Sequence, residues 1–392
     1  MKPVRFIHTA DIHLETGFSG AGLPSRLGGR KREAVRAAFR DILDAARREK
    51  ADFVLVAGDL FELGRVTPDT VEFLKQQFAS LAPVRVFVAP GNHDPFIKGS
   101  PYKDDPWPGN VHVFGKEEFQ SVELPEAGVR VTGFGYARPF FDGRLFQKLP
   151  ALPDDLCNIV VAHASDMGRV PEGKSAQGPF EVGELAGKNI RYCALGHYHR
   201  QRRLQVPDAG VEAWYAGVPE GSGWDEEGPG GYLFCEVGDG GVRVQGRVCS
   251  RFDLHSVEIG CDGFSTREQV VEALLRHRGA ELQPNHILRV RLTGTPEASL
   301  DLAFAELDER LAGECLYIRW EDRLLPALDF EAIAGEKTLR GEFARFLGEC
   351  IADCDASGGG GGTAESPFRR EVLERARRYG LDALSGREVR LR

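Results

Sequence analysis

A chain of 392 residues, 42% hydrophobic and 28% charged, exceeds what one compact core usually holds, so two domains and a tail are expected. Its formal net charge of −9 excludes a protein sheathed in basic surface, although a local basic groove stays open. No run approaches the ~20 apolar residues of a membrane span. The opening MKPVRFIHTADIHL turns polar too soon for a signal peptide. The eight cysteines (157, 193, 235, 249, 261, 315, 350 and 354) form no CxxC pair, which predicts reduced thiols and a cytoplasmic protein.

Short apolar runs alternate with helical patterns through the first 250 residues. VRFI (4–7) reads as a strand, and 33–50 as a helix with Ala34, Val35, Ala38, Phe39, Ile42, Leu43 and Ala46 on one face. FVLVA (53–57), a helix from Pro68 and VRVFVA (84–89) follow. VRVTGFG (129–135), NIVVA (158–162) and YCAL (192–195) then read as strands. EAWYAG (212–217), GYLFCEV (231–237) and VRVQGRV (242–248) are β-rich with little helix between, which predicts two stacked sheets flanked by helices.

The rhythm changes near 250. FDLHSVEI, STREQVVEALLRHR, HILRVRLTG, SLDLAFAELDERLA and CLYIRW spell a small β-α-β-α-β unit over 251–325. The segment 326–392 carries a helical stretch to about 355, a Gly/Ser linker at 357–362 and a short basic helix, ESPFRREVLERARRYGLDAL. Cys350 and Cys354 fall on a helix face, without the further Cys or His that would complete a zinc site.

Strand after strand ends in residues that ligate metals. VRFIHTADIHL ends in Asp11 and His13, FVLVAGDLFE has Asp59, VRVFVAPGNHD has Asn92, His93 and Asp94, NIVVAHASD has His163, and YCALGHYHR has His197 and His199. Ligands at the carboxyl ends of neighbouring strands converge on one crevice in α/β sheets, and glycines at 58, 91 and 196 let the backbone turn sharply beside them. Imidazole, carboxylate and amide oxygen without thiolate favour manganese, iron, zinc or similar ions over a structural zinc knot. So many ligands exceed one tetrahedral ion and suit two, bridged by a carboxylate such as Asp59. Ions held ~3.5–4 Å apart clamp a phosphate and lower the pKa of a bound water. Asp59, Asn92 or His163 alone would read as a turn or packing residue; jointly they do not.

In this order, D-x-H, G-D, G-N-H-D, a strand-terminal His and G-H-x-H resemble the calcineurin-type metallophosphoesterase superfamily over roughly 4–200. HTADIHLE and GDLFE further resemble the bacterial SbcD/YhaO type of DNA repair exonuclease. The resemblance implies a four-layer αββα sandwich over 1–250, a small α/β capping domain over 251–325 and a helical tail over 326–392. It implies one ion on Asp11, His13, Asp59 and His199 and a second on Asp59, Asn92, His163 and His197, with Mn2+ favoured over Fe2+, Zn2+ or Mg2+. His93 would stabilise the leaving oxygen, with Asp94 orienting its ring. His8, just before D-x-H, is expected to support the site or the fold rather than bind an ion. Some nuclease members carry a second histidine right after G-D-x-F, where this chain has Glu62. Implied partners are DNA, an SbcC/YhaN-like SMC-type ATPase docking through the tail helix, and a second copy in a homodimer.

The alternative keeps the site but changes the substrate to a small phosphodiester or a phosphoprotein. The RQRR stretch (200–203) and the cluster Arg26, Arg30, Lys31 and Arg32 read equally as nucleic-acid contacts or as ordinary surface. Tryptophans in WPGNVHVF and GWDEEGPGGY read more readily as loop packing than as base-stacking platforms. His112, His255, His277 and His286 lie outside the motifs and read as surface or packing residues.

Overall fold

The structure is a computed structural model that describes residues 3–16, 23–170, 175–207, 210–277, 282–297, 299–325, 328–357, 365–386 and 389. The strands are β1 (Val4–Thr9), β2 (Phe53–Val56), β3 (Arg85–Val88), β4 (Val111–Val113), β5 (Gln120–Leu124), β6 (Val129–Phe134), β7 (Cys157–His163), β8 (Tyr192–Gly196), β9 (Arg202–Leu204), β10 (Glu212–Tyr215), β11 (Gly231–Gly238), β12 (Gly241–Val248), β13 (Asp253–Gly260), β14 (His286–Thr293) and β15 (Tyr317–Asp322). The helices are α1 (Ser25–Arg48), α2 (Pro68–Leu81), α3 (Pro101–Asp104), α4 (Arg267–His277), α5 (Phe304–Arg310), α6 (Phe330–Ala334), α7 (Leu339–Ser357) and α8 (Glu365–Leu384).

Two mixed six-stranded sheets form the core, in the orders β12-β11-β1-β2-β3-β4 and β5-β6-β7-β8-β10-β9. Each holds a four-strand parallel centre, β1 to β4 in one and β6, β7, β8 and β10 in the other, with antiparallel strands at its margins. Parallel strands are covered on both faces and therefore read as continuous apolar runs. FVLV of β2 is buried at every position. Alternate side chains of β2 face opposite layers: Val54 and Val56 meet Phe39 and Ile42 of α1 and Leu74 and Phe78 of α2. Phe53 and Leu55 pack with Val131, Ile159 and Tyr192 from the second sheet.

The outer face of the second sheet departs from the expected αββα layering. It is covered by Phe141, Leu145, Phe146, Leu149 and Phe180 from loops and short 3-10 turns, and that cluster holds no α-helical residue. Pro139, Pro150 and Pro153 explain why. Each removes an amide donor and fixes φ, so 135–156 cannot sustain a helix. Helix α1 begins eight residues before the expected Ala-rich stretch, because Leu27 and Lys31 are buried and packing outweighs the cost of Gly28 and Gly29. Lys31 of the expected basic cluster is therefore unavailable to a nucleic acid; its ammonium donates to the Glu220 carbonyl at 2.9 Å and to the Gly221 carbonyl.

By backbone contacts the chain divides into two compact units, Met1–Ile259 with Ala273–Arg291 and Ala303–Glu321, and Gly260–Glu272 with Leu292–Leu302 and Asp322–Arg392. Most of the three-stranded sheet β13-β14-β15 falls in the first. There Leu254 and Ile287 join Ala34 and Phe252 in a common cluster, and His255 meets His286 edge to face with ring centres 4.7 Å apart. In the second, Ile333, Ala344 and Leu381 bring α6, α7 and α8 together, and the Arg377 guanidinium lies 3.8 Å from the Phe330 ring centre. The linker at 358–362 lies outside the described residues. All eight cysteines are free thiols. Among the described residues no helix is long and apolar enough to cross a membrane.

Candidate metal centre

Parallel strands of both sheets end at one cleft of about 530 Å³, lined among others by Asp59, Asn92, His93, His197, His199, Arg200 and Glu226. Asp11, His13, Asp59 and His197 follow strand ends with φ of 51°, 49°, 53° and 103°, in the left-handed region that non-glycine residues avoid. Such strain costs about 1–3 kcal/mol per residue and concentrates at functional sites, where the surroundings over-determine it. Hydrogen bonds hold these turns: Asp11 N–H donates to the Gly58 carbonyl at 3.0 Å and His13 N–H to the Asp59 carbonyl at 2.9 Å. Gly196 has no alternative, since a Cβ there would stand 1.9 Å from the Ala57 carbonyl oxygen. At Gly58 (φ 89°) a Cβ would stand 2.4 Å from His163 Nδ1.

Two imidazoles face each other, with His13 Nε2 3.3 Å from His199 Nε2. Behind each stands a glutamate: His13 Nδ1 is 2.8 Å from Glu62 Oε1, and His199 Nδ1 bonds Glu226 Oε1. Burial opposes charge on both glutamates, but hydrogen bonds from the histidines hold each at about 2. An ionised carboxylate only accepts, so both Nδ1 atoms carry the proton. The two Nε2 atoms then converge, with Asp59 Oδ2 3.8 Å from His13 and Asp11 Oδ1 3.9 Å from His199. Two carboxylates and two imidazoles brought this close suit a cation between them. The ligand atoms of Asp11, His13 and His199 lie within 4.8 Å of one another, as do those of Asp11, Asp59 and His163. The donor set therefore fits divalent ions.

Across the cleft His163 is fully buried, its Nε2 3.2 Å from Asp59 Oδ2 and 3.1 Å from Asn92 Oδ1, its Nδ1 2.9 Å from the Ala57 carbonyl. Burial disfavours charge on His163, but Asp59 and Asp11 outweigh it and raise its pKa to about 9. His199 likewise overcomes burial through Glu226 and Asp11, rising to about 9. His197 goes the other way, pushed to about 3 by burial and by neighbouring His163, so it is a neutral imidazole. Its ring centre is 5.1 Å from that of His163, and the backbone N–H of His197 donates to both Asp11 carboxylate oxygens at 3.0 Å. Asp59 is held well below the carboxylate range: burial works against it, and His163, His13 and His93 more than compensate.

The structure changes the role of Asp94. Its carboxylate accepts the amides of Asp59 (3.1 Å), Gly91 (2.7 Å) and Leu60 (2.7 Å) and the Tyr102 hydroxyl (2.8 Å). It is a fully buried pin for two strand-end loops, and every bond it makes lies away from His93. The carboxylate on His93 Nδ1 is that of Glu62, 2.9 Å away. Glu226 lies inside the Gly-rich loop GWDEEGPGGY, where no periodic pattern marks it as a histidine partner. His8 stitches the two sheets together, with Nδ1 2.9 Å from the Tyr192 hydroxyl and Nε2 3.2 Å from the Leu195 carbonyl. Of RQRR, Arg202 pairs with Asp166 at 3.0 Å and Arg203 with Glu212, while Arg200 lines the cleft.

Paired mixed sheets with clustered carboxylates and imidazoles at their strand ends define a metallophosphoesterase. The chain belongs to the calcineurin-like phosphoesterase family, whose model matches residues 4–201. It is 32% identical over 252 residues to the uncharacterized metallophosphoesterase YhaO of Bacillus subtilis (strain 168), covering 62% of this chain and 60% of that one. It is 22% identical over 319 residues to the DNA double-strand break repair protein Mre11 of Methanosarcina acetivorans, covering 79% of this chain and 48% of that one. To Mre11 of Saccharolobus solfataricus it is 28% identical over 242 residues, covering 59% and 60%. The match thus spans about half to three-fifths of these relatives' length.

Proposed function

We propose that the protein is a two-metal phosphodiesterase acting on DNA: a repair exonuclease, with nicking activity on single strands, that works with an SMC-type ATPase. The convergence of Asp11, His13, Asp59, His163 and His199 within ion-binding distance carries this reading, and similarity to proteins named for double-strand break repair supports the substrate. In this reading Asp11, His13, Asp59 and His199 hold one ion and Asp59, Asn92, His163 and His197 the other, with Mn2+ favoured over Fe2+, Zn2+ or Mg2+. Such ions supply Lewis acidity toward phosphoryl oxygens and a nucleophile at neutral pH. His93, whose side chain is 44% exposed while Asp59 is buried, meets the substrate. As the oxygen of a water that has given one proton to solvent bonds to phosphorus and the bond to the sugar oxygen breaks, His93, protonated at both ring nitrogens, gives its Nε2 proton to the leaving oxygen. Asp94 acts indirectly, fixing the loops that carry Asp59 and Asn92. Residues 251–325 serve as a capping domain, and α8 docks the ATPase.

A second reading, a small phosphodiester or phosphoprotein as substrate, draws on the commitment of Arg202 and Arg203 to Asp166 and Glu212, which leaves fewer cations for a DNA backbone. Hydrolysis of linear duplex DNA with added Mn2+, beside a chromogenic phosphodiester, separates the two. Product from DNA ends supports a nuclease, and turnover of the chromogenic diester alone supports the second reading. A metal-replete protein that hydrolyses no phosphoester refutes both.

A further inference from the structure

We propose that Glu62 is a positioning residue, a single carboxylate that clamps two histidines with different jobs: His13 on the metal side of the cleft and His93 on the leaving-group side. The inference rests on the phosphodiesterase reading above. Each carboxylate oxygen has its own ring: Oε1 is 2.8 Å from His13 Nδ1, and Oε2 is 2.9 Å from His93 Nδ1. The rings meet edge to face with centres 4.9 Å apart.

The backbone fixes this arrangement. Glu62 N–H donates to the Leu14 carbonyl at 3.1 Å, Leu63 N–H to the His93 carbonyl at 3.0 Å, and Leu14 N–H to the Leu60 carbonyl at 3.0 Å. The segment bearing Glu62 is thus tied to the chain beside each histidine, and the carboxylate is delivered between the rings. With both Nδ1 protons committed, His13 presents an Nε2 lone pair toward Asp59 and His199. His93 is left its Nε2 for a substrate.

An amide cannot replace this carboxylate. Glutamine offers one accepting oxygen, and its NH2 would face the N–H of the other imidazole, donor against donor. A histidine at this position, as in some nuclease members of the resembling family, offers at most one acceptor. Glu62 therefore holds the Nδ1 proton of both rings at once, leaving each Nε2 free to face the cleft.

The test compares full-length wild type with Glu62→Gln. Free Mn2+ is followed by electron paramagnetic resonance during titration. Turnover is measured at saturating Mn2+ on a DNA oligonucleotide and on bis-p-nitrophenyl phosphate. The nitrophenolate leaves without a proton, whereas the sugar oxygen needs one. The clamp predicts Mn2+ binding weakened about 10–100-fold and kcat on DNA lowered more than kcat on the aryl diester. Thermal unfolding followed by circular dichroism should match wild type, so that a folding defect does not imitate either result. Mn2+ affinity within twofold of wild type overturns the His13 arm, and equal slowing on both substrates overturns the His93 arm; either refutes a two-histidine clamp. A wild type that binds Mn2+ but turns over neither substrate refutes the phosphodiesterase reading instead, an outcome distinct from an active wild type matched by its variant.

Discussion

The two sides of the cleft are built from the same residue types but backed differently. On one side His13 and His199 each lean on an ionised glutamate, Glu62 and Glu226, with Asp11 and Asp59 in front. On the other, His163 leans on the neutral Ala57 carbonyl, and the adjoining oxygen is the uncharged Asn92 Oδ1. A carboxylate behind an imidazole makes it a more basic ligand and adds negative charge near the ion. The first side should therefore bind its ion more tightly, and the two positions should fill in sequence.

The largest expected effect removes what both sides share. Asp59→Asn should abolish phosphodiester hydrolysis down to the level of the metal-free protein, because Asp59 faces His13 and His163 at once. Assay of the chromogenic diester with and without a chelator checks this. Next, Glu226→Gln should weaken the tighter ion about 10–100-fold and leave the weaker one near its wild-type affinity, as read by Mn2+ titration. Asn92→Asp should narrow the gap from the opposite side by tightening the weaker ion. Equal loss at both positions in Glu226→Gln would break the comparison.

Most of the residues that meet at the cleft were legible because each sits directly after an apolar run, and strand ends announce themselves by pattern. What was not legible are partners without a period. Glu226 reaches His199 across 27 residues of chain, and Asp94 takes amides of residues 59 and 60 that lie 35 and 34 positions away. Nothing local in GWDEEGPGGY marks one glutamate as a histidine partner. Lys31 looked basic and exposed beside Arg30 and Arg32, yet its place on α1 turns it inward. The short strands β4, β5 and β9 carried too few apolar positions for a pattern to register.

Smaller effects concern the frame that both sides stand on. Gly196→Ala forces a Cβ against the Ala57 carbonyl, the same carbonyl that backs His163, and should cost about 1–3 kcal/mol in urea unfolding. His8 links the sheets beneath the cleft. Burial lowers its pKa from 6.5 to about 3, against the bond to the Leu195 carbonyl that raises it. The folded protein therefore binds fewer protons at His8 than the unfolded chain between these values. Its contribution is fully present above pH 6.5 and is lost as pH falls toward 3. His8→Gln should flatten the rise of unfolding free energy between pH 4 and 6 by at most about 1.4 kcal/mol per pH unit.

The central claim, a cleft that holds two ions of unequal affinity, is tested most directly by counting Mn2+ bound per chain during a titration of the wild type. The account predicts two ions per chain in two resolved steps. Saturation at a single ion, or no binding at millimolar Mn2+, would contradict it.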